Sequence, residues 1–120
     1  MNTEQTISIN IRSCKKKILD SYFIFHINGK IIRKMKSGKW KEIKNSSNHK
    51  EGYNVIMING RQFTRNQLIA HIFMNYDIYD KTNMKNKMIT FKDKNKLNCS
   101  TSNLIICSKN YYLSEIKIDK

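Results

Sequence analysis

The sequence predicts an α+β fold in which a small antiparallel β-meander precedes a compact ββα-like core. Three observations predict it. Apolar and polar residues alternate in short runs that break at Asn28-Gly29, Ser37-Gly38 and Asn59-Gly60, and Asn-Gly is the strongest two-residue hairpin signal. Leu68, Ile69, Ile72 and Phe73 instead have the spacing of a helix with one buried face. Two short apolar runs, at 88–91 and 104–107, are separated by a loop rich in Asp, Asn and Lys.

Taken in order, Ile7, Ile9 and Ile11 alternate with polar neighbours over 6–12 and predict a half-buried strand. Lys15-Lys16-Lys17 follows as a basic knot. Tyr22, Phe23, Ile24, Phe25 and Ile27 predict the next strand, folded back at Asn28-Gly29 into 30–35, and Ser37-Gly38 turns the chain into a third over 39–43. Residues 44–51 lack apolar spacing and form a loop in which His49 is solvated. The run 53–58 alternates again, Asn59-Gly60 makes a second hairpin, and 61–64 returns. Thr64 is the expected N-cap of a helix from 65 to about 75. His71 lies off the apolar stripe and reads as a surface or boundary histidine. Residues 76–87 read as a long polar connector, and Ser108 as the cap of a final helix through Tyr111, Leu113, Ile116 and Ile118. Without repeats, proline or a Gly/Ser linker, the expected organisation is a basic meander over 1–45 and a core over 52–120, packed as one compact unit.

Lys and Arg number 23 against 9 Asp and Glu, a formal charge of +14 on 120 residues. That balance implies a polyanionic partner, of which nucleic acid is the commonest. A Lys/Asn/Ile bias of AT-rich coding DNA can put lysine in place of arginine, but it does not remove acids. Three cysteines without a Cys-x-x-Cys pair argue against a disulfide framework and for an intracellular, reducing compartment. Cys99, Cys107 and His71 fit none of the usual zinc spacings, so no metal or other cofactor is expected. No apolar run approaches the roughly 20 residues that span a bilayer, which excludes a membrane role for a helix of this sequence.

The stretch from Met88 through Thr90-Phe91, the loop Lys92-Asp93-Lys94-Asn95-Lys96-Leu97-Asn98, and Asn103-Leu104-Ile105-Ile106 resemble the core of HNH endonucleases of phages and mobile introns. Upstream, Gly52-Tyr53, Val55, Met57 and Arg61, then Leu68-Ile69-Ala70-His71-Ile72-Phe73, are similar to that family's strand pair and helix. The resemblance implies an HNH-like ββα core in which Asp93, Asn95, Lys96, Asn98, Asn103 and Leu104 match the family's loop pattern. It also places the family's metal-binding Asp on Thr90, its general-base His on Phe91, its helix-opening His on Asn66, and the Asn of its last helix on Tyr112, with Asn110 two residues short. Metal-assisted phosphodiester cleavage needs a hard oxygen ligand and a base for water. Phe91 supplies neither, and Thr90 alone is a poor ligand. The implied reading is a nuclease scaffold without catalytic residues, in which Asp93, Asn95, Asn98 and Asn103 form a structural motif.

Two basic concentrations are the candidate binding surfaces. Lys30, Arg33, Lys34, Lys36, Lys39, Lys41 and Lys44 surround Trp40, with Glu42 the one acid among them. Lys81, Lys85, Lys87, Lys92, Lys94 and Lys96 flank the vacated strand, opposed by Asp80 and Asp93. Lys30, Arg33, Lys34, Lys36, Lys39, Lys41, Lys44, Arg61, Arg65, Lys92, Lys94 and Lys96 form the candidate nucleic-acid set. Lysine is a point charge without the planar fork that reads guanine, so it favours backbone over base contacts. Duplex DNA and structured RNA are both implied partners. Alongside a DNA binder stand an RNA-binding piece of a large ribosome-like assembly, an endonuclease with a site rebuilt from Asp93, Asn98, Asn103 and Asn110, and a protein-binding decoy.

Overall fold

A computed structural model of the chain describes residues 12–109. The expected strand at Ile7, Ile9 and Ile11, the final helix, and the positions Asn110 and Tyr112 lie outside them. Strands β1 (Ser13–Ile18), β2 (Ser21–His26), β3 (Ile31–Lys34) and β4 (Trp40–Glu42) form one antiparallel meander in that order. Hairpin β5 (Val55–Ile58) and β6 (Arg61–Thr64) runs directly into helix α1 (Arg65–Phe73). Helix α2 (Lys81–Asn86) leads into β7 (Lys87–Phe91), which pairs across a loop with β8 (Leu104–Ser108). This is a mixed fold of antiparallel strands and short helices, as the sequence predicts. Among the described residues no helix is long and apolar enough to cross a membrane.

The turns carry the expected backbone. Asn59 and Gly60 both have positive φ, at 48° and 76°, the conformation a two-residue hairpin needs to match strand twist. Gly29, at φ 96°, is required for a second reason: a Cβ there would stand 2.9 Å from the Cys99 carbonyl carbon. The first hairpin turn therefore presses against the loop before β8, where Thr101 N–H donates to the Ile27 carbonyl at 2.7 Å. Helix α1 begins with a full capping box, Thr64 accepting from Gln67 N–H while the Gln67 side chain accepts from Thr64 N–H.

Two elements differ from the sequence expectation. Lys15, Lys16 and Lys17 are not a knot between elements; they lie in β1, paired with Ile24, Phe23 and Tyr22. Among the described residues β1 is the outermost strand of its sheet, and lysine on an edge strand is a common guard against further strand pairing. The connector 76–87 contains α2, which has no buried residue and is set by Asp80, whose carboxylate accepts from Thr82 and Asn83 N–H. Capping replaces apolar periodicity there, so the pattern carries no helix signal. Tyr76 and Ile78 in the same stretch are buried.

The core joins Ile18, Phe23, Phe25 and Ile31 from the meander to Ile56, Ile58, Phe63, Leu68, Ile69, Ile89 and Leu104. At its centre is a charge. Arg65, 1% exposed, donates from Nε to Asn54 Oδ1 (2.9 Å) and from its two terminal nitrogens to the Gly29 carbonyl (2.8 Å) and the Ile43 carbonyl (2.7 Å). Burial lowers its pKa from the ordinary arginine value. The expectation that Arg65 binds nucleic acid is therefore corrected: its guanidinium is consumed inside the protein.

Candidate nucleic-acid interface

Strand alternation sorts the meander's side chains into two faces. Registers Lys15↔Ile24, Ile24↔Ile32 and Ile32↔Glu42 make one row, and Lys17↔Tyr22 with Lys34↔Trp40 belong to the next row on the same side. The opposite side carries Phe23, Phe25 and Ile31, all fully buried. The outer face thus presents Lys15, Lys17, Lys30 and Lys34, with Glu42 the acid among them, 3.6 Å from Lys30. Two aromatic rings share that face, Tyr22 at 45% and Trp40 at 37% exposed. Lys15 Nζ stands 5.4 Å from the Trp40 ring centre and Lys17 Nζ 5.6 Å from that of Tyr22.

The basic set read from sequence is therefore split. Lys30 and Lys34 lie on the outer face, Lys36 and Lys39 at the exposed hairpin end, Lys44 is exposed just past β4, and Arg33 and Lys41 are on the core side. Arg33 stacks on Phe23, 5.2 Å from the ring centre, and donates to the Met57 carbonyl (2.9 Å) and Ser21 Oγ (3.0 Å). It serves mainly to join β3 to β5. Lys15 and Lys17 belong to the outer face with Tyr22 beside them; the run Lys15-Lys16-Lys17 has no alternation of its own, and its pairing with β2, where Tyr22 and Ile24 alternate with Phe23 and Phe25, is what places it there.

The second surface surrounds the loop after β7. Asp93 organises it: Oδ1 accepts from Asn95 N–H (2.8 Å) and Asn103 Nδ2 (2.9 Å), and Oδ2 from Asn98 Nδ2 (2.7 Å). These donors hold its pKa below the usual carboxylate range, Asn98 contributing most. Asn103, 7% exposed, also donates to the Asn98 carbonyl (2.9 Å) and accepts from Asp93 N–H (3.1 Å), while its own carbonyl accepts from Lys92 N–H (2.8 Å). Lys92 and Lys94 project from this braced loop into solvent. Lys96 is partly engaged, donating to the Glu51 carbonyl at 2.7 Å with Nζ 4.7 Å from the Tyr53 ring centre. Arg61 is exposed with its guanidinium over Phe63.

At the end of β7, Thr90 and Phe91 pair with Ile105 and Leu104. Phe91 is half-buried, its ring centre 6.3 Å from that of Tyr53 and its side chain against the core. Asn66 is buried. His71 is a structural clip: Nδ1 lies 3.0 Å from the Tyr76 carbonyl and 3.3 Å from the Ile78 nitrogen, and the ring meets Tyr79 edge-on.

One solved structure similar to this chain is that of the HNH homing endonuclease I-HmuI, described for its DNA binding and cleavage. The two are 23% identical over a match that covers 78% of this chain and 50% of that one, with a TM-score of 0.53. The fold is HNH-like. This chain spans about half the length of that endonuclease, and the likeness is one of architecture. No protein-family model and no curated sequence matches the chain. Within the HNH-like fold, among the described residues, no three His, Cys, Asp or Glu side chains come together as a metal-binding group. Cys99 is buried, its thiol pushed up to about 11 by burial despite the pull of Arg65, and Cys14 and Cys107 are half-buried thiols elsewhere.

Proposed function

We propose that this chain is a nucleic-acid-binding protein of HNH-like fold that grips the phosphate backbone through lysine and carries no cleavage chemistry of its own. The observation that supports it is the end of β7. Where the sequence resemblance puts a metal ligand and a general base, the side chains are a threonine and a phenyl ring packed on Tyr53. A phenyl group neither coordinates a cation nor accepts a proton from water. Asp93, the nearest acid in sequence, has both oxygens committed to the asparagines of its own loop. What the site keeps is positive charge, in Lys92 and Lys94, and the meander adds Lys30, Lys34 and Lys44. These ammonium groups are exposed, with Glu42 beside Lys30 (3.6 Å) their one carboxylate partner among the described residues, and they attract phosphate and release its counterions.

The test has two readouts on the same protein. Plasmid and single-stranded substrates incubated with Mg²⁺ or Mn²⁺ should remain intact, whereas nicking that vanishes on Asp93→Ala would show a rebuilt catalytic site. The logarithm of affinity for duplex DNA should fall steeply with log salt, by about 0.9 per phosphate contacted. Replacing Lys92 and Lys94 by Gln should flatten the slope, as should replacing Lys30, Lys34 and Lys44. A slope that neither set changes would mean that the lysines are only a solvated surface.

A further inference from the structure

The outer face of the meander holds more than charge. Its rows place Tyr22 on β2 and Trp40 on β4 in the same line across the sheet, two strands apart. From strand spacing this is roughly 9–10 Å between backbones. Both rings are exposed, and each has a lysine ammonium near its face. Lys34 on β3 stands between them in that line, the partly exposed Ile24 and Ile32 lie in the neighbouring row, and Lys15, Lys17 and Lys30 surround the pair.

A backbone-only binder needs lysines but no exposed aromatic rings. Burial of the two rings against this chain is incomplete, and the cations beside them are the groups that neutralise a polyanion. Flat π surface interleaved with lysine is the chemistry that takes unpaired bases: the rings stack on base faces while the ammonium groups meet the phosphates between them. A duplex cannot use it, because its base faces are already stacked on one another. We infer that the outer face of the four-stranded meander is a stacking platform for single-stranded nucleic acid, with Tyr22 and Trp40 as the base-contacting rings. The inference rests on the backbone-binding reading above and adds the class of polynucleotide and the residues that select it. Binding moves Lys15 and Lys17 from ring to phosphate, so their charge is kept at the surface while the ring faces become free for bases.

Trp40 is the chain's one tryptophan, so its emission reports on this face alone. The whole chain is titrated with four polyanions of about twelve nucleotides, within the range of single-strand site sizes. They are a mixed-sequence single-stranded DNA, the matching RNA, an abasic backbone of equal length, and the DNA duplex. Both single strands should quench Trp40 and bind at least about fivefold tighter than the abasic backbone, the lower end of what one stacked base contributes. Tyr22→Ala should weaken single-strand binding by a similar factor and leave duplex and abasic affinity unchanged, with Tyr22→Phe restoring it. Single strands that bind no tighter than the abasic backbone, with Trp40 emission unchanged, would overturn the platform and leave backbone binding standing. Failure of all four ligands to bind would overturn both.

Discussion

Replacing Arg65 by Met tests the buried charge at the centre of the molecule. Methionine keeps the aliphatic stem and most of the volume but removes every donor. Three acceptors then lose their partners together: Asn54 Oδ1, the Gly29 carbonyl and the Ile43 carbonyl, now bonded at 2.7–2.9 Å. An acceptor left without a partner in the interior costs about 1–3 kcal/mol. The three sum to between about 3 and 9 kcal/mol. Against this stands the relief of a desolvation penalty, visible in the lowered pKa of the guanidinium. The net expectation is a loss of about 3 kcal/mol, out of the roughly 5–15 kcal/mol that holds a domain folded. For a chain of this size that is a drop in Tm on the order of 10 °C. Urea unfolding followed by circular dichroism gives the midpoint and slope together. A fall in midpoint at constant slope is the expected result. A variant within about 0.5 kcal/mol of the parent, the usual range for surface changes, would refute the assigned role. A surface role predicts that outcome, with weakened nucleic-acid binding as its signature.

Three other perturbations follow from the loop and strand of the second surface. Phe91→His should destabilise by roughly 1–2 kcal/mol, from half the burial value of a phenylalanine plus the ring contact with Tyr53; it should not create cleavage, and plasmid nicking by that single variant would contradict the proposed function. Asn103→Ala removes the brace on Asp93 and on the Asn98 carbonyl, so amide hydrogen exchange should accelerate across 92–98 before it does in β5 or β6. Asp93 has a folded pKa below its unfolded value, so its contribution is fully present above about pH 4 and disappears as pH falls through the lower, folded value. Acid unfolding of Asp93→Asn should accordingly show a shallower pH dependence below about pH 4; an unchanged acid limb would mean that the asparagine donors do not stabilise the carboxylate.

How much of this could be read from the sequence depended on whether the controlling interaction was local. Asn59-Gly60 and Thr64 with Gln67 announce a hairpin and a helix start because each acts on backbone within three residues. β1 and α2 were obscured for opposite reasons: one is a strand whose exposed edge favours lysine over alternation, the other a helix fixed by Asp80 with no apolar face. Arg65 reads as a surface cation because its acceptors lie 36, 22 and 11 residues away. A local clue did exist. Arg65, Leu68, Ile69 and Ile72 share one helical stripe, and a cation in a helix's first turn is set against the macrodipole unless something else holds it. The second surface is more local, since Asp93 and Asn103 are ten residues apart and bond to each other across one loop. The division of the meander's lysines between two faces needed the register of all four strands.

The seam between the Gly29 turn and Cys99 also provides a clock. Cys99 is 2% exposed, and the hairpin turn covers its backbone so tightly that Gly29 has no room for a Cβ. With Cys14 and Cys107 replaced by serine, a thiol reagent can reach Cys99 only while the meander is lifted from the loop before β8. At high reagent concentration the labelling rate becomes the rate of that opening itself. At low concentration it gives the opening equilibrium, because the thiol that burial keeps protonated in the closed form ionises normally once exposed. One buried sulfur therefore timestamps each separation of the first sheet from the rest of the protein, and bound polynucleotide can be scored by whether it lengthens the interval.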